Sequence, residues 1–322
     1  MRAFSLLIAA VLLAPVAAAA QTTPWGDPDL QGIWSNQTPI PLERPAPLAN
    51  KAFFTKTEAA EVEKNSLGSI LKVVGGAIPT SGELNGIWLE TAKGRVGRNL
   101  RTSQVVDPPD GLTPYTKEGK TRWFATPSLE GDLMGRPLLT NGPRDRSLDE
   151  RCITTGGIFV PNPFYNNYHQ IVQAPGYVVI LTEMMHEQRV IPLDPSTASG
   201  STRAQSSGDR RPHVGANIQQ WLGDSRGWWE GRTLVVETTN FNDSRRFYGS
   251  TRALKFIERF TRLDNDTIGY QLTVTDPNTF AQPWTVENNL WRSDEGIFEV
   301  ACHEGNYGLA NILSAARAQE KR

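Results

Sequence analysis

The second half of the chain consists of apolar runs of strand length that are separated by turn residues. The runs cover residues 177–183, 189–193, 233–239, 254–263, 267–275, 284–291 and 297–302. They are rich in β-branched and aromatic residues, and turn sequences such as Asp264-Asn265-Asp266 lie between them. Because no helix-length pattern separates the runs, neighbouring strands are expected to pair in an antiparallel sheet. We therefore predict a mainly β fold, an antiparallel barrel or sandwich, with a hairpin over residues 177–193.

The first half of the chain is more irregular. Six prolines lie between residues 21 and 50, which favours an extended arm over a helix. Short helices are predicted over residues 57–64, 115–124 and 309–319. We predict an extended arm and an irregular N-terminal part over residues 21–150, packed on an antiparallel β core over residues 151–322. The two parts together form one folded unit.

Residues 1–20 are typical of a secretory signal peptide. Arg2 precedes an apolar run from Phe4 to Pro15, and a stretch of small residues ends at Ala20. No later run approaches the roughly 20 apolar residues that a membrane helix needs. The formal net charge of −1 gives no electrostatic support for binding nucleic acid. We predict a periplasmic or secreted protein without a membrane span, whose partner is a small molecule.

The chain contains two cysteines, Cys152 and Cys302. Because thiols persist poorly in an oxidising compartment, a disulfide between them is favoured over two buried free thiols. Such a bridge closes a loop on the order of 150 residues and is expected to stabilise the fold by roughly 4–5 kcal/mol. It would also bring together the polar clusters that lie beside the two cysteines.

Established catalytic motifs are missing from the sequence. It has no G-x-S-x-G, G-x-G-x-x-G, G-x-x-x-x-G-K-[ST], H-E-x-x-H or C-x-x-C pattern. His186-Glu187 and His303-Glu304 begin like a zinc-protease motif, but neither is followed by a second histidine at the required spacing. We predict no cofactor and no metal. A zinc or iron site built from histidine and carboxylate ligands is an alternative.

One cluster of ionisable residues lies at the tip of the predicted hairpin. Glu183, His186 and Arg189 follow one another within seven positions. An imidazole has an unperturbed pKa near 6.5 and exchanges protons at neutral pH, while a neighbouring carboxylate can orient it. The cluster is interpreted either as part of a functional site or as the solvated tip of a hairpin.

A second cluster follows the last apolar run. His303, Glu304 and Asn306 lie within four positions, next to glycines that allow a tight turn. The alternative is a structural corner between a strand and the C-terminal helix. From the two clusters we predict four catalytic acid–base residues, His303, His186, Glu304 and Glu183.

Polar and aromatic residues near Cys152 suggest how a small molecule could be held. Amide and aromatic groups over residues 162–170 can hydrogen-bond to and stack on a sugar or a phenolic ring. Glu258 and Arg259 lie inside an apolar run, where a Glu–Arg pair has a structural role as the alternative. The predicted substrate-binding residues are Arg151, Tyr168, Gln170, Arg189, Arg259 and Asn306.

Some short motifs resemble those of known proteins. Gly32-Ile33-Trp34 and Gly86-Ile87-Trp88 resemble the Gly-x-Trp that opens the first strand of lipocalin-like barrels. Residues 25–34, 229–238 and 302–307 resemble segments of a large group of uncharacterised secreted proteins from soil and aquatic bacteria. The last segment, Cys-His-Glu-Gly-Asn-Tyr, is the most specific. This second resemblance spans nearly all of the chain after residue 20 and implies a secreted protein of one domain, but no reaction.

These observations favour one function and leave two alternatives open. The favoured function is a periplasmic β-barrel enzyme, a lyase or hydrolase, that acts on a small aromatic or glycosidic compound by His/Glu acid–base chemistry. The first alternative is a lipocalin-like carrier or binding protein whose charged residues are structural. The second alternative is a metal-dependent enzyme with His and Glu ligands.

Overall fold

The structure is a computed structural model that describes residues 22–73, 94–126, 139–160, 166–194, 211–243 and 247–321. The signal peptide predicted for residues 1–20 and the second Gly-x-Trp, at Gly86, lie outside these residues. The described strands are β1 (Gly32–Ser35), β2 (Val105–Asp107), β3 (Tyr168–Ala174), β4 (Tyr177–Thr182), β5 (Glu187–Pro192), β6 (Asp224–Glu230), β7 (Thr233–Thr239), β8 (Lys255–Asp264), β9 (Thr267–Thr275) and β10 (Trp284–Ser293). The described α-helices are α1 (Lys56–Val73), α2 (Lys117–Ala125) and α3 (Tyr307–Gln319).

The strands form one antiparallel sheet that almost closes on itself. Nine of them follow the order β5-β4-β3-β1-β10-β9-β8-β7-β6, and β2 pairs with β10 outside this path. The two end strands meet at a parallel bridge between Leu193 and Gly227, and the backbone N–H of Asp194 donates to the carbonyl of Gly227 at 2.9 Å. The prediction of a mainly β chain with an antiparallel barrel and a few short helices is confirmed.

Alternation along the strands separates the barrel interior from its outer surface. In β8, Phe256, Glu258 and Phe260 are fully buried, whereas Ile257 and Arg259 between them are only half-buried. Successive side chains of a strand point to opposite faces, so the buried set lines the interior. Glu258 therefore lies between two aromatic side chains of the barrel core.

The predicted hairpin over residues 177–193 is present as β4 and β5. Its turn is a short 3-10 segment, Met184–His186, in which Met185 and His186 adopt positive φ angles of 61° and 52°. The register pairs Thr182 with Glu187 across the hairpin. This register places Arg189 on the buried face of β5, where the residue is 4% exposed.

The N-terminal part contributes a central strand to the sheet. The first Gly-x-Trp lies in β1, which pairs with β3 on one side and with β10 on the other. Trp34 is completely buried, and its Nε1 donates to the carbonyl of Leu30 at 3.0 Å. The barrel therefore includes residues that precede the boundary expected at residue 150.

The last apolar run, residues 297–302, is not a strand, contrary to the prediction. The backbone N–H groups of Phe298 and Val300 donate to the side chains of Glu183 and His186, so they need no partner strand. The three predicted helices are present with shifted ends. Among the described residues, no helix is long and apolar enough to cross a membrane.

Candidate functional site

The barrel interior contains a buried ion pair. Arg189 of β5 and Glu258 of β8 are 4% and 0% exposed, and Nη2 of the arginine lies 2.7 Å from Oε2 of the glutamate. The hydroxyl of Tyr270, in β9, donates to the other carboxylate oxygen at 3.0 Å. The pKa of Tyr270 is raised well above its usual value, because the phenol is buried and lies beside the Glu258 carboxylate. Tyr270 is therefore a neutral hydrogen-bond donor.

The guanidinium of Arg189 has unused hydrogen-bonding capacity. Its Nε and Nη1 atoms are buried and have no acceptor among the described residues, and its Nη2 contacts Glu258 without the alignment of a hydrogen bond. An arginine carries five N–H donors, and leaving buried donors unsatisfied is energetically expensive. The interior therefore offers donors for which the described residues supply no acceptor oxygen.

His169 lies in the same interior in its neutral form. Its Nδ1 is 3.1 Å from the hydroxyl of Thr182, and its Nε2 is 3.3 Å from Oδ1 of Asn36. Nδ2 of Asn36 donates to the carbonyl of Phe159, so Oδ1 is the acceptor and Nε2 of His169 carries the proton. Burial, together with the positive charge of Arg189, lowers the pKa of His169 to about 3. This histidine is a fixed donor and not a proton carrier at neutral pH.

Residues 152–160, which we call the inner segment, enter the barrel from one rim. Phe159 is fully buried, and its ring centroid lies 4.2 Å from that of His169, 4.9 Å from that of Tyr270 and 5.6 Å from that of Phe260. The carboxylate of Glu187 accepts from the backbone N–H and the hydroxyl of Thr155, at 3.0 and 3.1 Å. The inner segment thus places an aromatic ring next to the polar groups of the barrel.

A glycine lets the inner segment pass over Arg189. Gly157 has a φ of +60°, in the left-handed region that favours glycine. A Cβ atom at this position would lie 3.0 Å from Leu222 and 3.4 Å from Cδ of Arg189. A side chain at this position would therefore crowd Leu222 and lie in van der Waals contact with the arginine.

Residues 295–306, which we call the strap, cross the rim where the inner segment enters. The predicted disulfide between Cys152 and Cys302 is present and joins the two segments. The carboxylate of Glu183 accepts from the backbone N–H of Phe298 at 3.0 Å, and Nε2 of His186 accepts from that of Val300 at 2.8 Å. The bridge therefore unites the polar clusters on either side of it, as the sequence predicted.

Two further contacts fasten the strap at its ends. At the first end, the hydroxyl of Tyr168 donates to Glu295 at 2.9 Å, and at the other end Nδ2 of Asn306 donates to the carbonyl of Glu150 at 2.8 Å. Burial, the hydrogen bond to Glu295 and the nearby carboxylates raise the pKa of Tyr168 to about 12. Tyr168 therefore keeps its proton at neutral pH.

The structure distributes the predicted site residues over three locations. Glu183, His186, Tyr168 and Asn306 contact the strap or belong to it, and Arg189 lies inside the barrel. His303 and Glu304 are exposed residues of the strap, and Arg151 is half-buried beside Cys152. Gln170 and Arg259 lie on outward positions of β3 and β8, and Arg259 pairs with Glu230 at 2.8 Å. The rim thus gathers most of the predicted residues, and the interior holds one.

Sequence reasoning missed most of the interior site. Glu258 is recognisable as a charge at an inward position of an apolar strand, but the partner in the structure is Arg189, not the adjacent Arg259. Phe159 lies in the irregular inner segment, where no periodic pattern shows which side chains are buried. Tyr270 alternates with apolar residues in β9 and carries no polar signal beyond its hydroxyl.

The described part of the chain contains no group of three or more His, Cys, Asp or Glu side chains arranged to hold a metal ion. An open, polar surface cavity of about 540 Å³ lies away from the predicted residues and is lined by Asp29, Gln31, Gly32, Arg262, Asn265, Asp266 and Arg292. The guanidinium of Arg262 is already engaged there by the carbonyls of Asp29, Asp264 and Asn265.

Comparison of the chain with known protein families, with curated proteins and with solved structures finds no match.

Proposed function

We propose that this protein binds a small, neutral, oxygen-bearing compound, aromatic or glycosidic, inside the barrel. The observation that carries this proposal is the buried guanidinium of Arg189, whose Nε and Nη1 have no acceptor among the described residues. An oxygen atom of a bound molecule would accept from these donors and remove the penalty of leaving them unsatisfied. Glu258 and Tyr270 beside the arginine complete a polar corner in an otherwise apolar interior.

Charge favours a neutral ligand over an anion. The positive charge of Arg189 is already balanced by Glu258, and Glu187 adds a second carboxylate two positions away on the same face of β5. His169 contributes no positive charge at neutral pH, because its pKa is about 3. An anionic ligand would meet a negative surplus in a low-dielectric interior, whereas a carbonyl or hydroxyl oxygen would not.

Binding has more support than catalysis. His303 is exposed, and Nε2 of His186 is occupied by the backbone N–H of Val300. A carrier or binding protein of the kind that uses a barrel interior needs only the donors and rings described above. The disulfide is compatible with an oxidising compartment, and with the signal-peptide pattern of residues 1–20 it supports a periplasmic or secreted location.

The binding proposal is tested by titrating the purified protein with phenol, benzamide, methyl glucoside and, as an anionic comparison, benzoate. Isothermal calorimetry is the measurement. At least one neutral probe is expected to bind at millimolar concentration and more tightly than benzoate. Arg189→Lys keeps the positive charge but loses the planar set of guanidinium N–H donors. The affinity for the neutral probes should therefore fall about tenfold or more.

A matched variant is Arg252→Lys, because Arg252 is an exposed arginine whose ion pair with Asp243 lies on the surface. This variant should bind as the wild type does. The proposal fails if no neutral probe binds, or if Arg189→Lys binds the probes as tightly as Arg252→Lys.

An acid–base enzyme, a lyase or hydrolase, is the second candidate. The observation that favours it is Oε2 of Glu183, which is buried at the strap and has no hydrogen-bond partner among the described residues. Its other oxygen is held by the backbone N–H of Phe298, so the free oxygen is oriented. An oriented carboxylate beside His186 suits proton transfer.

The enzyme candidate is tested by screening neutral aromatic and glycosidic compounds for turnover. Glu183→Gln is expected to abolish turnover while leaving the affinity for a non-reacting probe unchanged, because it removes the base and keeps the shape. If His186→Ala and His303→Ala both turn over a substrate as well as the wild type, the predicted histidine chemistry is wrong.

A further inference from the structure

We infer that the ligand is aromatic and that its ring takes the position now held by the ring of Phe159. This inference rests on the proposed function and decides between its two ligand classes. Phe159 would then occupy the ligand's position when no ligand is bound, and its ring would help determine which ligands bind.

The surroundings of the Phe159 ring suit an aromatic ligand better than a sugar. The ring is enclosed by His169, Tyr270 and Phe260 at centroid distances of 4.2, 4.9 and 5.6 Å, with interplanar angles of 50°, 53° and 72°. These are the distances and tilts at which aromatic pairs attract one another beyond their buried area. A sugar in the same place would bury several hydroxyl groups among rings that offer few partners.

The ring position adjoins the unsatisfied donors. Tyr270 contacts the Phe159 ring and also donates to Glu258, which in turn contacts Arg189. The inner segment passes over the same arginine at Gly157. An aromatic ring in this position could direct a ring-attached oxygen toward Arg189, which the side chain of phenylalanine cannot do because it carries no acceptor.

Phe159 can leave the interior without breaking the sheet. It belongs to a non-strand segment, and the hydrogen bonds described between this segment and the barrel wall involve side chains of the wall, namely those of Asn36, Glu187 and Tyr270. Gly156 and Gly157 have φ angles of +111° and +60°, which glycine adopts without strain. The Cys152–Cys302 bridge keeps the displaced segment near the rim, so the Phe159 ring competes with the ligand within the same molecule.

The experiment compares wild-type protein with Phe159→Ala and with a matched variant, Phe280→Ala. Phe280 is a buried phenylalanine outside the strands whose ring contacts Tyr115 and Trp284. Calorimetric titration uses benzamide, phenol, toluene and methyl glucoside. Removing the competing ring should tighten binding of benzamide or phenol about tenfold or more, because the binding-competent state no longer has to be populated first.

Phe280→Ala opens space beside Tyr115 and Trp284 and should leave these affinities unchanged. Toluene has the ring without the oxygen, so in Phe159→Ala it should bind more weakly than phenol. If Phe159→Ala does not fold, Phe159→Leu removes the flat ring at smaller loss of volume and should shift affinity in the same direction.

The results distinguish failure of this inference from failure of the proposed function. Equal affinity of benzamide and phenol for wild type and Phe159→Ala overturns the inference and leaves the proposed function standing. Stronger binding of methyl glucoside than of both aromatic probes also overturns it. If no oxygen-bearing probe binds any of the proteins, the proposed function itself fails.

Discussion

Arg189 and Glu258 form an ion pair inside the barrel, with Nη2 and Oε2 2.7 Å apart. Their strands, β5 and β8, are not neighbours in the sheet, and the contact crosses the interior. Among the described residues, the backbone pairing that closes the sheet between β5 and β6 consists of the bridge from Leu193 to Gly227 and its adjoining hydrogen bond. The ion pair therefore braces the barrel near its weakest seam.

Removing one member of this pair should destabilise the fold strongly. Glu258→Gln leaves the charge of Arg189 buried without a counter-ion, and we expect a loss of roughly 3–5 kcal/mol in the free energy of unfolding. The measurement is denaturant unfolding monitored by tryptophan fluorescence. Glu230→Gln breaks the exposed pair with Arg259 and should cost about 0–1 kcal/mol. Equal losses in the two variants would contradict the prediction.

His169 should make the protein less stable in acid. Its pKa is about 3 in the folded protein and 6.5 in the unfolded chain, so between these values the unfolded state binds more protons. Its stabilising contribution is complete above pH 6.5 and declines toward pH 3, by up to about 1.4 kcal/mol per pH unit. His169→Gln lacks this titration, so its unfolding free energy should fall less steeply on acidification. If the unfolding free energies of the variant and the wild type fell equally steeply with decreasing pH, this prediction would be wrong.

The disulfide should contribute substantially to stability. It joins residues 150 positions apart, and closing a loop of that size is expected to stabilise by about 5 kcal/mol when the effect is purely one of chain entropy. Reductant should therefore lower the unfolding midpoint of the wild type. The double variant Cys152→Ser/Cys302→Ser should have a lower unfolding midpoint than the wild type, and reductant should not change that midpoint. If complete reduction left the unfolding midpoint of the wild type unchanged, the prediction would be wrong, and the non-covalent contacts of the strap would be sufficient to hold it.

Two helical glycines should respond in opposite ways to alanine. In α2, a Cβ atom on Gly119 would lie 2.1 Å from the carbonyl oxygen of Thr279, so Gly119→Ala must move the helix and should cost about 1–3 kcal/mol. In α3, Gly308 has nothing within 4 Å of the same position. Gly308→Ala should therefore stabilise by up to about 1 kcal/mol through helix propensity. Thermal unfolding of both variants is the measurement, and stabilisation by Gly119→Ala would be incompatible with the docking of α2.

The sequence predicted most strands correctly because strand formation is marked by patterns among neighbouring residues. Period-two alternation and turn residues locate β7, β8 and β9, and the Gly-x-Trp of residues 32–34 coincides with β1. The run over residues 297–302 was predicted as a strand on the same grounds. It fails because strand propensity says nothing about whether a partner strand is available, and the side chains of Glu183 and His186 take the hydrogen bonds instead.

The candidate site also has a part that the sequence predicted and a part that it did not. The sequence located the polar clusters at the rim, and the chemistry of two cysteines in an oxidising compartment was enough to predict that they meet. It offered no means of pairing Arg189 with Glu258, since those residues are far apart in the sequence and each has a nearer residue of opposite charge along the chain.

What the sequence determined by itself is therefore the fold class, the positions of most strands and the covalent link at the rim. Each of these depends on short-range patterns or on a specific chemical pair. Tertiary structure alone decided that Phe159 lies in the interior and that two donor atoms of Arg189 find no acceptor within the described part of the chain. Both facts depend on how far the sheet curls before β5 meets β6, because that curvature sets which inward side chains meet and how much room remains between them.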